Sequence, residues 1–305
     1  MSSTLVLEQL LNGLQFGLML FLLAAGLTLV FGIMDMINLA HGSIYMVGAF
    51  LAASLVNVTG SFTLGALLAI PATAVLGMLL EITVLRTLYQ RDHLSQVLAT
   101  FALILIINEV VRIIWGSDQP LNTPTALSGP VEIIPGLLYP SYRLLIIAVG
   151  FVVALVLYLI VSRTRVGMQI RAGASNREMA TVMGVDIRRL FTWVFGFGAA
   201  LAALAGALLG PLLAVQVGMG ENILILTFVV IVIGGIGSIR GAFLGSLLVG
   251  LVDTLGRAFL PTLLREIATA QVASAVGPAL ASISIYLLMV IVLVWKPTGL
   301  FPARA

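Results

Sequence analysis

The sequence predicts an all-α integral membrane protein, a polytopic bundle of about eight or nine transmembrane helices, some of them broken or re-entrant. Three observations carry this expectation. Of 305 residues, 61% are hydrophobic and only 9% charged, with a mean hydropathy of +1.19. A soluble domain carries about 25% charged residues, so a chain this poor in charge cannot cover its own surface against water and needs lipid as solvent. Second, the apolar runs are about twenty residues long, the length that spans a hydrocarbon core as a helix. They do not alternate as the strands of a closed barrel do, which leaves helices as the structure that pairs every backbone group in lipid. Third, polar and glycine-rich interruptions fall inside the apolar pattern rather than only between its runs.

Nine apolar segments follow in order: 9–33, 42–58, 62–85, 95–116, 142–162, 190–216, 222–238, 241–260 and 282–296. The whole chain, 1–305, reads as one membrane domain. The first segment has no basic leader and no small-residue cleavage site, so it reads as a retained span. Orientation comes from arginine. Arg163, Arg165, Arg171, Arg177, Arg188 and Arg189 crowd the loop 163–189 against only Glu178 and Asp186, which places that loop in the cytoplasm. Counting outward, 1–8 and the proline-rich 117–141 fall outside. The turn 86–94, with Arg86 and Arg91, falls inside, as does the tail with Lys296 and Arg304. The net charge of +3 is concentrated in this way and is no nucleic-acid footprint.

Two places break the apolar pattern. One is the run Phe31 to Gly42, containing Asp35, Asn38 and His41; the other is Gly234-Gly235-Ile236-Gly237-Ser238-Ile239-Arg240-Gly241. Glycine permits tight turns and close helix approach. These stretches read either as ordinary loops and packing contacts or as paired broken helices lining a solute path.

Several chemistries find no support. A Walker A loop needs a lysine for the phosphates, and the single lysine, Lys296, follows no glycine-rich run. Any ATPase driving this chain is therefore a separate subunit. Cysteine is absent, His41 and His93 are the only histidines, and neither HExxH nor GxSxG occurs, so metal and nucleophilic catalysis have no candidate residues. Glu109 with Arg112 and Asp253 with Arg257 have the spacings that place both members on one helix face. They read as self-neutralising pairs or as an ion relay. Asn12 and Gln15 read as interhelical glue. Asp35, Asn38 and His41 read as structural hydrogen bonders or as lining of a substrate path.

The cytoplasmic loop carries the most specific signal. Residues Ala174 to Val185 read as a short helix, capped by Ser175 or Asn176 and ended by Gly184. Met179, Val182 and Met183 share one apolar face there, suited either to packing on the membrane domain or to docking in a partner's groove.

The ordered set of motifs resembles the branched-chain amino-acid ABC permeases, in the shorter of their two types. It comprises Gly32-Ile33 with Ile37-Asn38-Leu39-Ala40-His41-Gly42 and Gly48-Ala49; Gly167-Met168, Arg171-Ala172, Asn176, Ala180 and Gly184-Val185; Gly234-Gly235-Ile236-Gly237-Ser238 with Gly241-Ala242 and Gly245; and Lys296-Pro297-Thr298-Gly299-Leu300-Phe301. Arg240 departs from the pattern, where a small residue or proline is expected. The resemblance implies an importer of branched-chain or other hydrophobic amino acids in the bacterial inner membrane. Its implied partners are a homologous second permease, two cytoplasmic ATPases carrying ATP and magnesium, and a periplasmic substrate-binding protein. It further implies a coupling helix at Ala174, Asn176, Met179, Ala180, Met183 and Gly184, and a path past Asp35, Asn38, His41, Gly42, Gly234, Gly235 and Gly237. The permease itself would then be no enzyme and hold no cofactor. The alternatives are an ion-coupled secondary transporter using Asp35, Glu109 and Asp253, or a channel for a small polar solute such as urea or a short amide.

Overall fold

The computed structural model of the chain describes residues 3–266 and 269–301. Arg304 of the expected inner tail lies outside them. Among the described residues the helices are α1 (Ser3–Met34), α2 (His41–Thr59), α3 (Phe62–Thr83), α4 (His93–Trp115), α5 (Ser141–Arg163), α6 (Arg165–Ser175), α7 (Arg177–Val182), α8 (Ile187–Leu213), α9 (Met219–Gly234), α10 (Ile239–Leu264) and α11 (Ala270–Trp295). Eight of them are long and apolar enough to cross a membrane; α9, at 16 residues, is shorter. The chain is thus an all-α, multi-pass membrane protein.

Local chemistry sets the helix starts. Side chains of Ser61, Asp92, Thr164, Asn176, Asp186, Ser238 and Thr269 each accept a bond from a first-turn backbone N–H, satisfying donors that the helix itself leaves unpaired. Two predicted boundaries move. Ala174 belongs to the end of α6, because Asn176, extended at φ −155, separates that helix from α7. The last span begins at Ala270 rather than near 282, since Pro278 sits inside α11 and Pro261 inside α10.

At the core, α1 and α8 lie side by side. Every residue of α1 from Gly17 to Val30 is buried. Around them, α3, α4, α5 and α11 turn aliphatic side chains such as Leu67, Ile113, Leu155 and Ile283 outward. An apolar surface this extensive suits lipid, not water. The loops gather at two ends as the arginine count predicts. At one end Tyr89 stacks edge-on against Phe191 with centroids 5.3 Å apart, and Leu300 and Phe301 donate to the carbonyls of Ile233 and Gly234. At the other end Trp115 donates to Ser54 at 2.5 Å, and strand β1 (Asp118–Gln119) pairs antiparallel with a later strand at Val215–Gln216. The hairpin of β2 (Pro130–Ile134) and β3 (Leu137–Pro140), turned at Gly136, lies in the same loop, 117–141. Val215–Gln216 is β4.

The packing repeats. α1 runs along α10, and α3 runs along α8; α2 lies on α3 and α8, while α9 lies on α10 and α1. Exchanging α1–α2–α3 with α8–α9–α10 therefore maps one set of contacts onto the other, with opposite chain direction through the bundle. Two glycine contacts sit on the axis of this exchange. A β-carbon added to Gly26 would lie 2.9 Å from the Gly198 carbonyl oxygen, and one added to Gly220 would overlap that of Gly42 outright. At Gly220 the obstacle is backbone, which has no flexible end to move aside. Gly220→Ala is expected to lower thermal stability in detergent by about 1–3 kcal/mol through overpacking. Gly129→Ala, in open space on the outer loop, is the control; melting curves followed by size-exclusion fluorescence read both.

Candidate functional site

The first break in the apolar pattern is a re-entrant segment. α1 ends at Met34 and Asp35 takes the left-handed region at φ 47, a strained conformation for a residue with a side chain. The chain then turns back into the bundle. Asn38 is fully buried and its Oδ1 accepts from the Ala40 N–H at 3.1 Å, an Asx-type turn. α2 consequently starts inside the bundle. A β-carbon on Gly26 would stand 3.1 Å from the His41 Nε2, and Gly26 lies two turns, about 12 Å at 1.5 Å per residue, before the end of α1.

The matching break on the other side of the repeat is not Gly234 to Gly241, where the sequence suggests it. It is Ala214 to Gly218, ahead of α9. Ala214 and Gly218 both take positive φ, 64 and 87, and the chain dips from the β1–β4 pairing to Gly220, directly against Gly42. Thus α2 and α9 both begin at one depth and run to opposite ends. The Gly234 to Gly241 stretch instead makes the tight turn from α9 to α10. A β-carbon on Gly234 would overlap the Gly241 backbone, and Gly235 and Gly237, at φ 106 and 80, bend the chain between them.

Around the crossing, polar groups are buried without ordinary partners. Among the described residues, Thr28 Oγ1, Asn38 Nδ2 and both ring nitrogens of His41 find no hydrogen bond of good geometry, although the Leu23 carbonyl lies close to the imidazole. Native interiors rarely leave such atoms unpaired. Thr28 also reaches a cavity of 780 Å³ at the arginine end, where it joins Asp35, Arg171, Ala174, Gly237 and Arg240. Of the predicted path residues, then, Asp35 and Gly237 share this cavity, Asn38, His41 and Gly42 form the crossing above it, and Gly234 and Gly235 lie in the turn beside it. Arg240, out of place in the motif, holds its guanidinium over the Tyr158 ring at 5.6 Å.

α7 stands at the same end. Asn176 caps it by accepting from the Met179 N–H at 2.9 Å, and Gly184 ends it at φ 86. Ala180 is buried, whereas Met179, Val182 and Met183 are 59%, 81% and 78% exposed. The apolar face does not fold back onto the chain. Arg177 ties α7 down: its Nε donates to the Ile33 carbonyl at 3.1 Å and its guanidinium lies over the Phe191 ring at 5.6 Å. Ile33 belongs to the last turn of α1, whose carbonyls have no partner within the helix. One side chain therefore joins α7, the end of α1 and the start of α8.

The predicted ion pairs both form, Glu109 with Arg112 at 2.9 Å and Asp253 with Arg257 at 2.8 Å. Asn12 bridges α1 to Tyr139 and Arg143, as expected of interhelical glue. A further polar cluster escapes sequence reading. Glu81, fully buried, accepts from Arg86 at 3.0 Å, from the Tyr89 hydroxyl at 2.8 Å and from Thr192 at 2.6 Å. Burial, then the adjacent carboxylate, pushes the Tyr89 phenol up from its ordinary range. Glu81 and Arg86 are five residues apart, off any helical face pairing, and Thr192 is distant in sequence; only the convergence of three partners in space identifies them.

The family described as the permease component of the branched-chain amino acid transport system matches residues 9–293. The chain is 33% identical over 308 residues to the high-affinity branched-chain amino acid transport system permease protein BraD of Pseudomonas aeruginosa, covering 96% of this chain and 95% of that one. It is 27% identical to the corresponding LivH of Escherichia coli, covering 96% and 94%. It is 28% identical to a probable branched-chain amino acid transport permease protein LivH of Methanocaldococcus jannaschii, covering 78% and 76%. An ordered match over nearly the whole length, on a bundle with the family's motifs at its crossing, its turn and its exposed helix, has one meaning: the chain belongs to the permease-component family of branched-chain amino acid transport systems.

Proposed function

We propose that this chain is the membrane subunit of an ATP-binding-cassette importer for branched-chain or other hydrophobic amino acids, driven through α7 by separate ATPase subunits. The observation that carries the proposal is the exposed Met179, Val182 and Met183 face on a helix tethered by Arg177 to the end of α1. An apolar face left to water needs a cover, and this one stands at the arginine-rich end, where positive loops face the cytoplasm. Two cytoplasmic ATPases, holding ATP and magnesium, supply that cover. A homologous second permease and a periplasmic binding protein complete the assembly in the inner membrane. Relatives named for branched-chain amino acid transport support the substrate class.

The tether supplies a route for force. Movement of α7 draws on the Ile33 carbonyl and hence on the strained turn at Asp35. That turn leads directly into Asn38, His41 and Gly42. Unpaired polar atoms at the crossing make its present packing costly against a hydrated arrangement, which suits a segment with two states. In this reading Asp35, Asn38, His41 and Gly42, with Gly234, Gly235 and Gly237 at the opposing turn, border the moving path. Ion-coupled transport has less support: Glu109 and Asp253 are each already paired with an arginine.

The proposal is tested by uptake into reconstituted vesicles. Leucine accumulation is expected with ATP supplied to the ATPase side and absent with a proton or sodium gradient alone; gradient-driven uptake without any ATPase would overturn it. Met179→Asp with Met183→Asp is expected to weaken ATPase association by roughly 30-fold or more, as at an interface hot spot, while detergent-purified protein keeps its melting temperature. Arg177→Ala removes a charge-assisted bond of about 1–2 kcal/mol. ATPase subunits are expected to co-purify with this variant as before, but ATP hydrolysis proceeds with little uptake. Normal coupled uptake in Arg177→Ala would remove the tether from the mechanism.

A further inference from the structure

α4 carries an exposed ion pair within its span. Glu109 and Arg112 are 58% and 57% exposed while bonded to each other. Glu109 lies six residues before the end of α4 at Trp115, about 9 Å along the axis. Beside it, Asn108 donates to Glu221 at 2.6 Å. Glu221 and Asn222 are exposed in the first turn of α9. That turn starts against Gly42 at the crossing, well inside the bundle's length, so these polar groups do not mark a membrane surface.

The outward faces of α3 and α5 differ, while on α10 the half-exposed Arg257 is paired with the buried Asp253. The exposed faces of α3 and α5 present Leu68, Val75, Leu76, Val152 and Leu155. Their ionisable groups are either buried, as Glu81 is, or placed at the helix ends, as Arg143 and Arg163 are. Ionised side chains within a span face protein or water-filled space rather than lipid. Arg112, one turn from its helix end, is long enough to reach the interface by extending; the short carboxylate of Glu109 and the amide of Asn222 are not.

We infer that the face formed by Asn108, Glu109 and Arg112 of α4 with Glu221 and Asn222 of α9 lines the aqueous solute path and is closed from the other side by the second permease subunit. This rests on the importer reading and adds which wall of the chain the solute meets. The chemistry suits a zwitterion with an aliphatic side chain. A zwitterion can exchange into the exposed Arg112–Glu109 pair, its carboxylate on the guanidinium and its ammonium on the carboxylate, with exposed Leu105 and Ile106 on the same helix for the side chain.

The chain contains no cysteine, so single cysteines can be placed without other changes. Asn222→Cys and Glu109→Cys are compared with Leu68→Cys and Val152→Cys in membranes carrying the whole transport system. The probe is a membrane-impermeant cationic thiosulfonate. Asn222→Cys breaks no bond seen in the structure and carries the reading if Glu109→Cys assembles poorly. Because only a hydrated thiol ionises and reacts, modification at the first two positions is expected to be at least about ten-fold faster than at the second two. Equal rates at all four positions overturn the inference. So does slow modification at 222 and 109 that becomes fast when this chain is expressed without the other subunits, which makes the face a dry protein contact. Thiol modification needs no ATP, so failure of ATP-driven uptake removes the importer reading without touching this result, and the reverse holds.

Discussion

Four backbones meet in the middle of this bundle with no side chains between them. Gly26 faces Gly198 where α1 crosses α8, and Gly42 faces Gly220 where α2 meets α9. In lipid no hydrophobic force drives helices together, so association rests on close packing and on polar contacts between helices. The glycine contacts supply the packing at the one place where all four central helices converge. They also permit the unusual starts of α2 and α9. A helix that begins at mid-depth leaves its first N–H groups in a dry region, and that is tolerable only where other backbone or polar groups lie close. The two breaks are therefore consequences of the crossing, and the outer helices are arranged around it.

The same constraint explains where polar groups are found. Deep ionisable side chains are partnered, as Glu81 is with Arg86, Tyr89 and Thr192, because removing one partner from such a set is far more costly than forming it is favourable. Thr28, Asn38 and His41, by contrast, keep unpaired atoms at the crossing, a cost that a shift of a few ångströms can relieve. Stability is thus concentrated at the arginine end and at the glycine contacts. The re-entrant segment between them is held by one Asx turn and one strained residue.

Much of the fold was legible because lipid leaves few choices. Apolar length and arginine placement located the spans and sorted the loops onto two ends, and Asn176 and Gly184 bounded α7 as their capping chemistry requires. What failed were the placement of the second break from glycine and one boundary read from apolar length. Gly234 to Gly241 reads as the second break and Ala214 to Gly220 does not, but composition carries no information on depth, and only the contact with Gly42 assigns the second break to the latter. The apolar segments as read stop at 260 and resume at 282, yet α10 and α11 carry Pro261 and Pro278 within them, and a β-carbon on Gly277 would stand 2.6 Å from the Pro261 ring. The two helices keep their prolines because they pack on each other there. Ala174 was assigned to the wrong helix because Ser175 and Asn176 are both good caps, and only the extended φ of Asn176 decides between them.

These positions have a mechanical consequence under the proposed coupling. A push on α7 reaches Ile33 through the Arg177 guanidinium and through α6, which packs beside it, and from there the chain is continuous through Asp35 to His41 and Gly42. At Gly42 the next contact is the Gly220 backbone, so displacement passes to α9 without a compliant side chain to absorb it. The far end of α9 is gripped by Leu300 and Phe301, whose N–H groups bond the Ile233 and Gly234 carbonyls, and Gly299 packs against Gly235. α9 is therefore held at both ends by backbone contacts, and a shift at its start must rotate or translate it as a body. The exposed Glu221 and Asn222 lie in that first turn, so the wall inferred to face the solute belongs, under this coupling, to the moving element.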